Sequence, residues 1–264
     1  MFLNNVIKRG IMSKWDAKFY KKQARLQEEV ALRILRKIAF KGDECVLDIG
    51  CGDGKITKKI AEMVPKGKVV GIDPSKEMIS EAVSDYSHIT NLNFLNERAE
   101  NFNLKEECSL ITSFFALHWV KDHGSVLKNA KAMLKKGGKI VFLMISGGHP
   151  NIVEVFERDH WKSRVERHFY EKFSMITERD YHKMLDRYGF EKICVKSLGL
   201  PYKFATKKEL ECYFMTWLPY ATGLPHDDCS QFAAEIADNI CLHEKKETNI
   251  NLNTSMLLVE AIKR

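Results

Sequence analysis

A chain of 264 residues, 45% hydrophobic and 29% charged, has the composition of a water-soluble globular protein with length for one full core, and no stretch of it approaches a membrane span. Its formal charge of +7 rests on basic residues that fall on the polar sides of helical patterns. They form no basic stripe interleaved with aromatics, so nucleic acid is not an expected partner, and the readings left are solvated faces or attraction to a polycarboxylate or an acidic carrier protein.

Seven scattered cysteines, with no C-x-x-C pair and no close His/Cys cluster, argue against a disulfide framework and a zinc site and fit a cytoplasmic, reducing location. The opening MFLNNVIKRGIM lacks the apolar core of a signal peptide, and Met12 offers an alternative start. Residues 1–14 are therefore expected as a loose tail, and 15–264 as one domain. Trp15 to Phe40 carries Leu26, Val30, Ile34, Leu35 and Ile38 at helical spacing, an amphipathic helix broken near Gln23 and placed to cover a cleft.

From there the pattern alternates. Val46 to Ile49 reads as a strand, Gly54 to Met63 as its helix, Val69 to Ile72 as a second strand, and Ser75 to Tyr86 as the next helix, with Ser75 as N-cap. Asn93 to Leu95 is a short strand, Leu110 to Phe115 another, and His123 to Leu134 a helix stopped by Gly137-Gly138 before a strand over Lys139 to Ile145. Helices then read over Pro150 to Phe173, Thr177 to Tyr188, Lys207 to Leu218 and Asp227 to His243, with strands over Phe190 to Leu198 and Ser255 to Ile262. The fold expected is α/β: a doubly wound, mostly parallel seven-stranded Rossmann-like sheet with a helical cap drawn from about 15–40, 149–175 and 206–243. A ligand should lie outside the carboxyl ends of the strands.

The stretch CVLDIGCGDGKI, residues 45 to 56, organises the chain. An apolar run ends on Asp48, glycines follow at 50, 52 and 54, and a helix begins, so a ligand can lie directly against bare backbone. The spacing is G-x-G-x-G, unlike the dinucleotide fingerprint G-x-G-x-x-G, and Asp48 would oppose a diphosphate and favour a cation. Farther on, GKVVGIDPSKEMI ends a second strand on Asp73, where a carboxylate can take both ribose hydroxyls. A cationic nucleoside without phosphate describes S-adenosylmethionine. The other reading of the loop alone is a glycine-rich turn with no ligand.

With VLDIGCGDG and VVGIDPS the chain resembles the class I S-adenosylmethionine-dependent methyltransferases. That resemblance implies a cofactor site of Tyr20, Asp48, Gly50, Cys51, Gly52, Asp73, Pro74, Met78, Arg98, Ala99, Phe114 and Phe115. Adenine would lie near Asn96 to Phe102, where Arg98 occupies the usual acidic position and cannot accept a hydrogen bond. Glu97 or Glu100 turning inward, contacts from the Ala99 backbone, or a stacked guanidinium are the alternatives.

ITSFFALHWVKDH, residues 111 to 123, looks much like juvenile hormone acid methyltransferases and shares the S-F-x-x-L-x-W-x-x-D frame of trans-aconitate methyltransferases. ARLQ, in the early helix, is similar to the opening of malonyl carrier-protein methyltransferases. All three groups methylate carboxylates, which implies Gln27 and Trp119 as the residues orienting a substrate carboxylate on a small acid or an acyl carrier protein, in a monomer or weak dimer. A carboxylate is already ionised at neutral pH and needs no general base, so His118 is a weaker catalytic candidate. Trp119 as a core plug and Gln27 as a solvent-facing residue are the structural alternatives. His149, His160, Trp161, Arg164, Arg167, His168, Phe169 and Tyr170 would matter only if they faced the cleft. Methylation of an amine or phenolic oxygen, and a cofactor-binding partner protein without turnover, are the competing functions.

Overall fold

The computed structural model describes residues 17–264 except 24, 103 and 105, with side chains described for all of these but 22, 23 and 166–172. The expected tail, Trp15, and the side chains of Arg167, His168, Phe169 and Tyr170 lie outside the described residues. Strands β1 (Cys45–Ile49), β2 (Lys68–Ile72), β3 (Leu92–Leu95), β4 (Cys108–Phe114), β5 (Leu134–Ile145), β6 (Phe190–Thr206) and β7 (Thr248–Lys263) make one sheet in the order β3-β2-β1-β4-β5-β7-β6. The first five run parallel, and β7 lies antiparallel between β5 and β6. β1 and β4 are buried along almost their whole length because helices cover both faces of the sheet, which is why they read as unbroken apolar runs.

The helices are α1 (Ala17–Gln23), α2 (Arg25–Leu35), α3 (Lys55–Met63), α4 (Lys76–Tyr86), α5 (His123–Met133), α6 (Pro150–Phe156), α7 (Asp159–Lys172), α8 (Glu178–Arg187), α9 (Lys207–Met215), α10 (Leu218–Thr222) and α11 (His226–Glu244). One core cluster joins α2, α3 and the cap helices to a face of the sheet. The other packs α5 and α8 against the opposite face. α2 buries Val30, Ala31, Ile34 and Leu35, a stripe at helical spacing in which each large side chain contributes about 1.5–3 kcal/mol. The entry of α4 is fixed by Ser75, whose hydroxyl accepts from the Met78 N–H, and that of α5 by Asp122, which accepts from the Ser125 N–H.

Several boundaries differ from the sequence reading. The helix expected over 150–173 is two, with a break between Phe156 and Asp159, and the one over 207–218 stops at Met215 before the short α10. Gly137-Gly138 does not stop the chain ahead of β5; the strand starts at Leu134, and Gly137, at φ 75°, kinks it. β6 and β7 pair on to Thr206 and Thr248, well beyond the expected Leu198 and Ser255. This long antiparallel pair rises past the end of β5 and carries Leu252 and Thr254 to the wall of a cavity under the cap.

Candidate active site

Two cavities lie side by side at the carboxyl ends of the strands. The first, about 810 Å³ of free space with its open mouth included, is built on the loop after β1. Gly50, Gly52 and Gly54 take φ of 72°, 55° and 81°, values a side chain rarely tolerates. The loop is pinned to the end of β2 by bonds from the Gly50 and Cys51 N–H groups to the Ile72 carbonyl, at 2.7 and 3.0 Å. A Cβ on Gly50 would stand 2.0 Å from that of Ala116, so the glycine also lets the loop meet the turn after β4.

Asp73, one residue past β2, accepts from the Gly52 N–H at 3.1 Å and the Ser75 N–H at 2.8 Å. Burial pushes its carboxyl up to about 6 against the opposing pull of those two bonds. Pro74, Met78, Arg98, Ala99, Phe114 and Phe115 complete the wall with Tyr20 from α1, together with Glu97 and Glu100. Arg98 is paired with Glu100 at 3.2 Å.

Two expected members of this wall stand elsewhere. Asp48 is 2% exposed and lies behind the loop, accepting from Thr57 at 2.7 Å and Thr112 at 2.8 Å. Its place within β1 turns it toward α3 and β4, so it staples sheet to helix and does not line the cleft; burial pushes its carboxyl up to about 6. Cys51 is likewise buried, packed against Gly71 of β2.

The second cavity, about 1030 Å³ with its mouth, lies between the strand ends and the cap. Gln27 and Trp119 line it together, as does His118. Gln27 is 7% exposed, which removes the solvent-facing reading, and its Oε1 is buried with no hydrogen-bond partner among the described residues. An amide turned over presents its N–H at the same point, so the group can serve either a donor or an acceptor. Trp119, on the short 3₁₀ turn Leu117–Trp119, meets the rings of His118, Phe173 and Tyr220 at 5.0, 5.4 and 5.2 Å.

His118 accepts from the Ile145 N–H through Nδ1 at 3.4 Å, which puts the ring proton on Nε2. Burial, with a smaller contribution from His123, lowers its pKa to about 3, so it is neutral and a poor base at neutral pH. Tyr20, Phe115 and Trp119 line both cavities and form the partition between them. Phe115 holds φ at 58°, strain of about 1–3 kcal/mol that swings the chain from β4 into the Trp119 turn.

Arg164 does not face either cavity: it pairs with Asp228 of α11 and lies 5.2 Å over the Trp161 ring. His160 is bonded to Glu235 at 3.2 Å on the outer side of the cap, and Trp161 is buried in the cap core. His149, by contrast, does line the second cavity. The cap walls from Ile152, Phe156, Phe173, Thr216 and Trp217, and Tyr220 over the first cavity, went unread in the sequence.

The description of a methyltransferase domain matches residues 20–195. The chain belongs to that methyltransferase family. Among its relatives, juvenile hormone acid O-methyltransferase of Bombyx mori is 28% identical over 84% of this chain and 85% of its own. A malonyl-[acyl-carrier protein] O-methyltransferase of Ilyobacter polytropus is 31% identical over 48% of this chain and 47% of its own. Among solved structures, phosphoethanolamine N-methyltransferase 2 of Haemonchus contortus, in complex with S-adenosyl-L-methionine, superposes with a TM-score of 0.63 at 15% identity, over 94% of this chain and 56% of its own. That last likeness shows the fold.

The first cavity fits S-adenosylmethionine as the methyl donor. Asp73 offers carboxylate oxygens for ribose hydroxyls, the glycine loop offers bare backbone, and the aromatic faces of Tyr20 and Phe115 suit a sulfonium. None of the described helices is long and apolar enough to cross a membrane.

Proposed function

We propose that this methyltransferase O-methylates the carboxylate of a small, largely apolar organic acid. One observation carries the reading: among the described residues, no Asp, Glu, Lys or Arg lines the second cavity. A cationic amine would want an acidic partner there, and a polycarboxylate would want an arginine for its second charge. What the wall offers is uncharged polar groups, the Gln27 amide, the Trp119 indole, the His118 and His149 rings and the hydroxyls of Tyr20, Tyr213, Thr216 and Thr254, set among aliphatic and aromatic surface. The names of the Bombyx and Ilyobacter relatives support an O-methylated acid. The apolar wall favours a free acid with a hydrocarbon body over a polyacid.

S-adenosylmethionine supplies an electrophilic methyl group. The chain's own residues bind and orient. Asp73 takes the ribose, the segment from Glu97 to Glu100 takes the adenine, and Tyr20 and Phe115 flank the passage between the cavities. Gln27 and Trp119 donate to the acceptor carboxylate without neutralising it, as an arginine would, so its oxygen keeps its nucleophilicity. No proton needs removal, since the acid is ionised above a pH of about 5. Rate then comes from desolvation and alignment, with reacting atoms about 3–3.5 Å apart. Incubation with methyl-labelled cofactor and a panel of a long-chain monocarboxylic acid, a tricarboxylic acid, an amine and a phenol tests the reading. A base-labile ester of the monocarboxylic acid is expected; transfer to the amine or phenol alone would overturn it.

A further inference from the structure

We infer that Tyr220 is a positioning residue through which occupation of the nucleoside cleft fixes the orientation of Trp119. Among the described residues, Tyr220 is the sole member of the nucleoside-cleft wall that follows Val120 in the chain. It comes from α10, which packs against α7, α9 and α11 and so belongs to the cap. Its ring stands edge-on to Trp119 at 5.2 Å and 88°, and Phe173 stands edge-on to the same indole at 5.4 Å and 86°. Both cap rings thus pack edge-on against the indole, so its orientation is coupled to theirs.

The two rings face different neighbours. Phe173 is tied to the segment around Trp119 itself: its carbonyl accepts from Lys121 Nζ at 2.7 Å, and the next N–H, of Ser174, donates to the His118 carbonyl at 2.7 Å. Tyr220 faces the residues around the nucleoside. Burial raises the pKa of its phenol, Arg98 lowers it, and Asp73 and Glu100 raise it further, so the hydroxyl stands in the field of the groups that line that cleft. A ligand filling the cleft meets the Tyr220 ring that lines it, and that ring meets the indole edge-on, so the ligand bears on the indole through it. On the acceptor reading proposed above, cofactor binding would then set the donor before the acid arrives, and the acid would tighten the cofactor by the same factor.

The test needs no acceptor, so it stands or fails apart from the carboxylate reading. S-adenosylhomocysteine is titrated into the full-length protein while tryptophan emission is followed, and Trp119→Phe isolates that residue's share from Trp15, Trp161 and Trp217. The Trp119 emission should shift on binding in the wild type and in Tyr220→Phe, which keeps the ring. In Tyr220→Leu the shift should fall by at least about half, while calorimetry still shows binding weakened by less than about tenfold. A Trp119 signal that ignores the ligand in the wild type overturns the inference, and so does an equal response in Tyr220→Leu. Circular dichroism confirms that each variant is folded.

Discussion

Trp119 joins the two cavities, and its polar contribution separates from its packing. Trp119→Phe keeps an aromatic plug against His118, Phe173 and Tyr220 but removes the indole N–H. Single-turnover rates with a saturating acid should fall about tenfold, the equivalent of one hydrogen bond of about 1.4 kcal/mol. With the cofactor saturating as well, the wild-type rate should stay flat from about pH 6 to 9, because the acid is ionised and His118, lowered to about 3, changes no charge there. A rising limb in that range, with Trp119→Phe unaffected, would point to an amine or phenol acceptor. At this scale the sequence was a good guide where spacing dictates position: Gly50, Gly52 and Asp73 sit at strand ends and face the cleft. It misled at Asp48, since position along the chain does not say which neighbour a strand residue faces, and the hydroxyls of Thr57 and Thr112 claim that carboxylate. Tyr220 left no local signal at all, because its role depends on the cap bringing α10 over the strand ends.

The elements of the sheet announced themselves through unbroken apolar runs and caps; the cap did not. The β6–β7 ladder extends beyond its expected bounds; Pro201 and the asparagines of TNINLNTS are poor strand formers and hide it in the sequence. Pro201 is tolerated since β6 is the edge of the sheet, where a missing N–H breaks no further ladder. The cap helices were legible as helices but not in their docking, which turns on Glu235 of α11. Its carboxylate accepts from Trp161 Nε1 at 3.0 Å, Arg158 at 3.1 Å and His160 at 3.2 Å, tying α7 and the break before it to α11. Burial opposes its ionisation, and the bonds from Trp161, His160 and Arg158 outweigh that and hold its pKa below the ordinary 4.5. A depressed carboxyl stabilises above its unfolded pKa and loses that contribution as pH falls through the folded value, so this anchor is fully present at neutral pH. Glu235→Gln should cost about 1 kcal/mol, discounted for partial exposure, and speed amide exchange across α6 and α7 while β1 stays protected. Since Glu235 lines neither cavity, affinity for S-adenosylhomocysteine should be unchanged. Unaltered exchange in α6 and α7 would show that the aromatic core of the cap holds them without it.

Over the whole molecule, three buried carboxyls at the cofactor loop, Asp48, Asp53 and Asp73, are raised by burial and tie stability and binding to pH. Asp48 and Asp73 both stand at about 6 in the fold against an ordinary 3.8. A raised folded pKa means that the folded state holds more protons between those values, so the contribution is fully present below about 4 and is lost as pH rises through 6, at about 1.4 kcal/mol per pH unit per group. Only Asp73 faces the cleft, and ribose hydroxyls donating to it favour its ionised form. Binding should therefore lower the Asp73 pKa and release protons: roughly half a proton per ligand at pH 6, and almost none at pH 8. Affinity for S-adenosylhomocysteine should climb from pH 5 toward 6.5 and then level off, and the thermal shift it produces should grow in step. The charge of +7 increases on acidification and weakens the fold by self-repulsion, but that contribution is common to free and bound protein and cancels in the ligand-induced shift. Calorimetry at pH 6 in two buffers of different ionisation enthalpy reads the proton count directly. Asp73→Asn should flatten the pH dependence and weaken binding by about 2 kcal/mol, as expected for bonds to a charged acceptor. Asp48 keeps its bonds to Thr57 and Thr112 in that variant, so its share of the stability profile should persist. Proton release that survives in Asp73→Asn would place the titrating group elsewhere and remove Asp73 from the ribose.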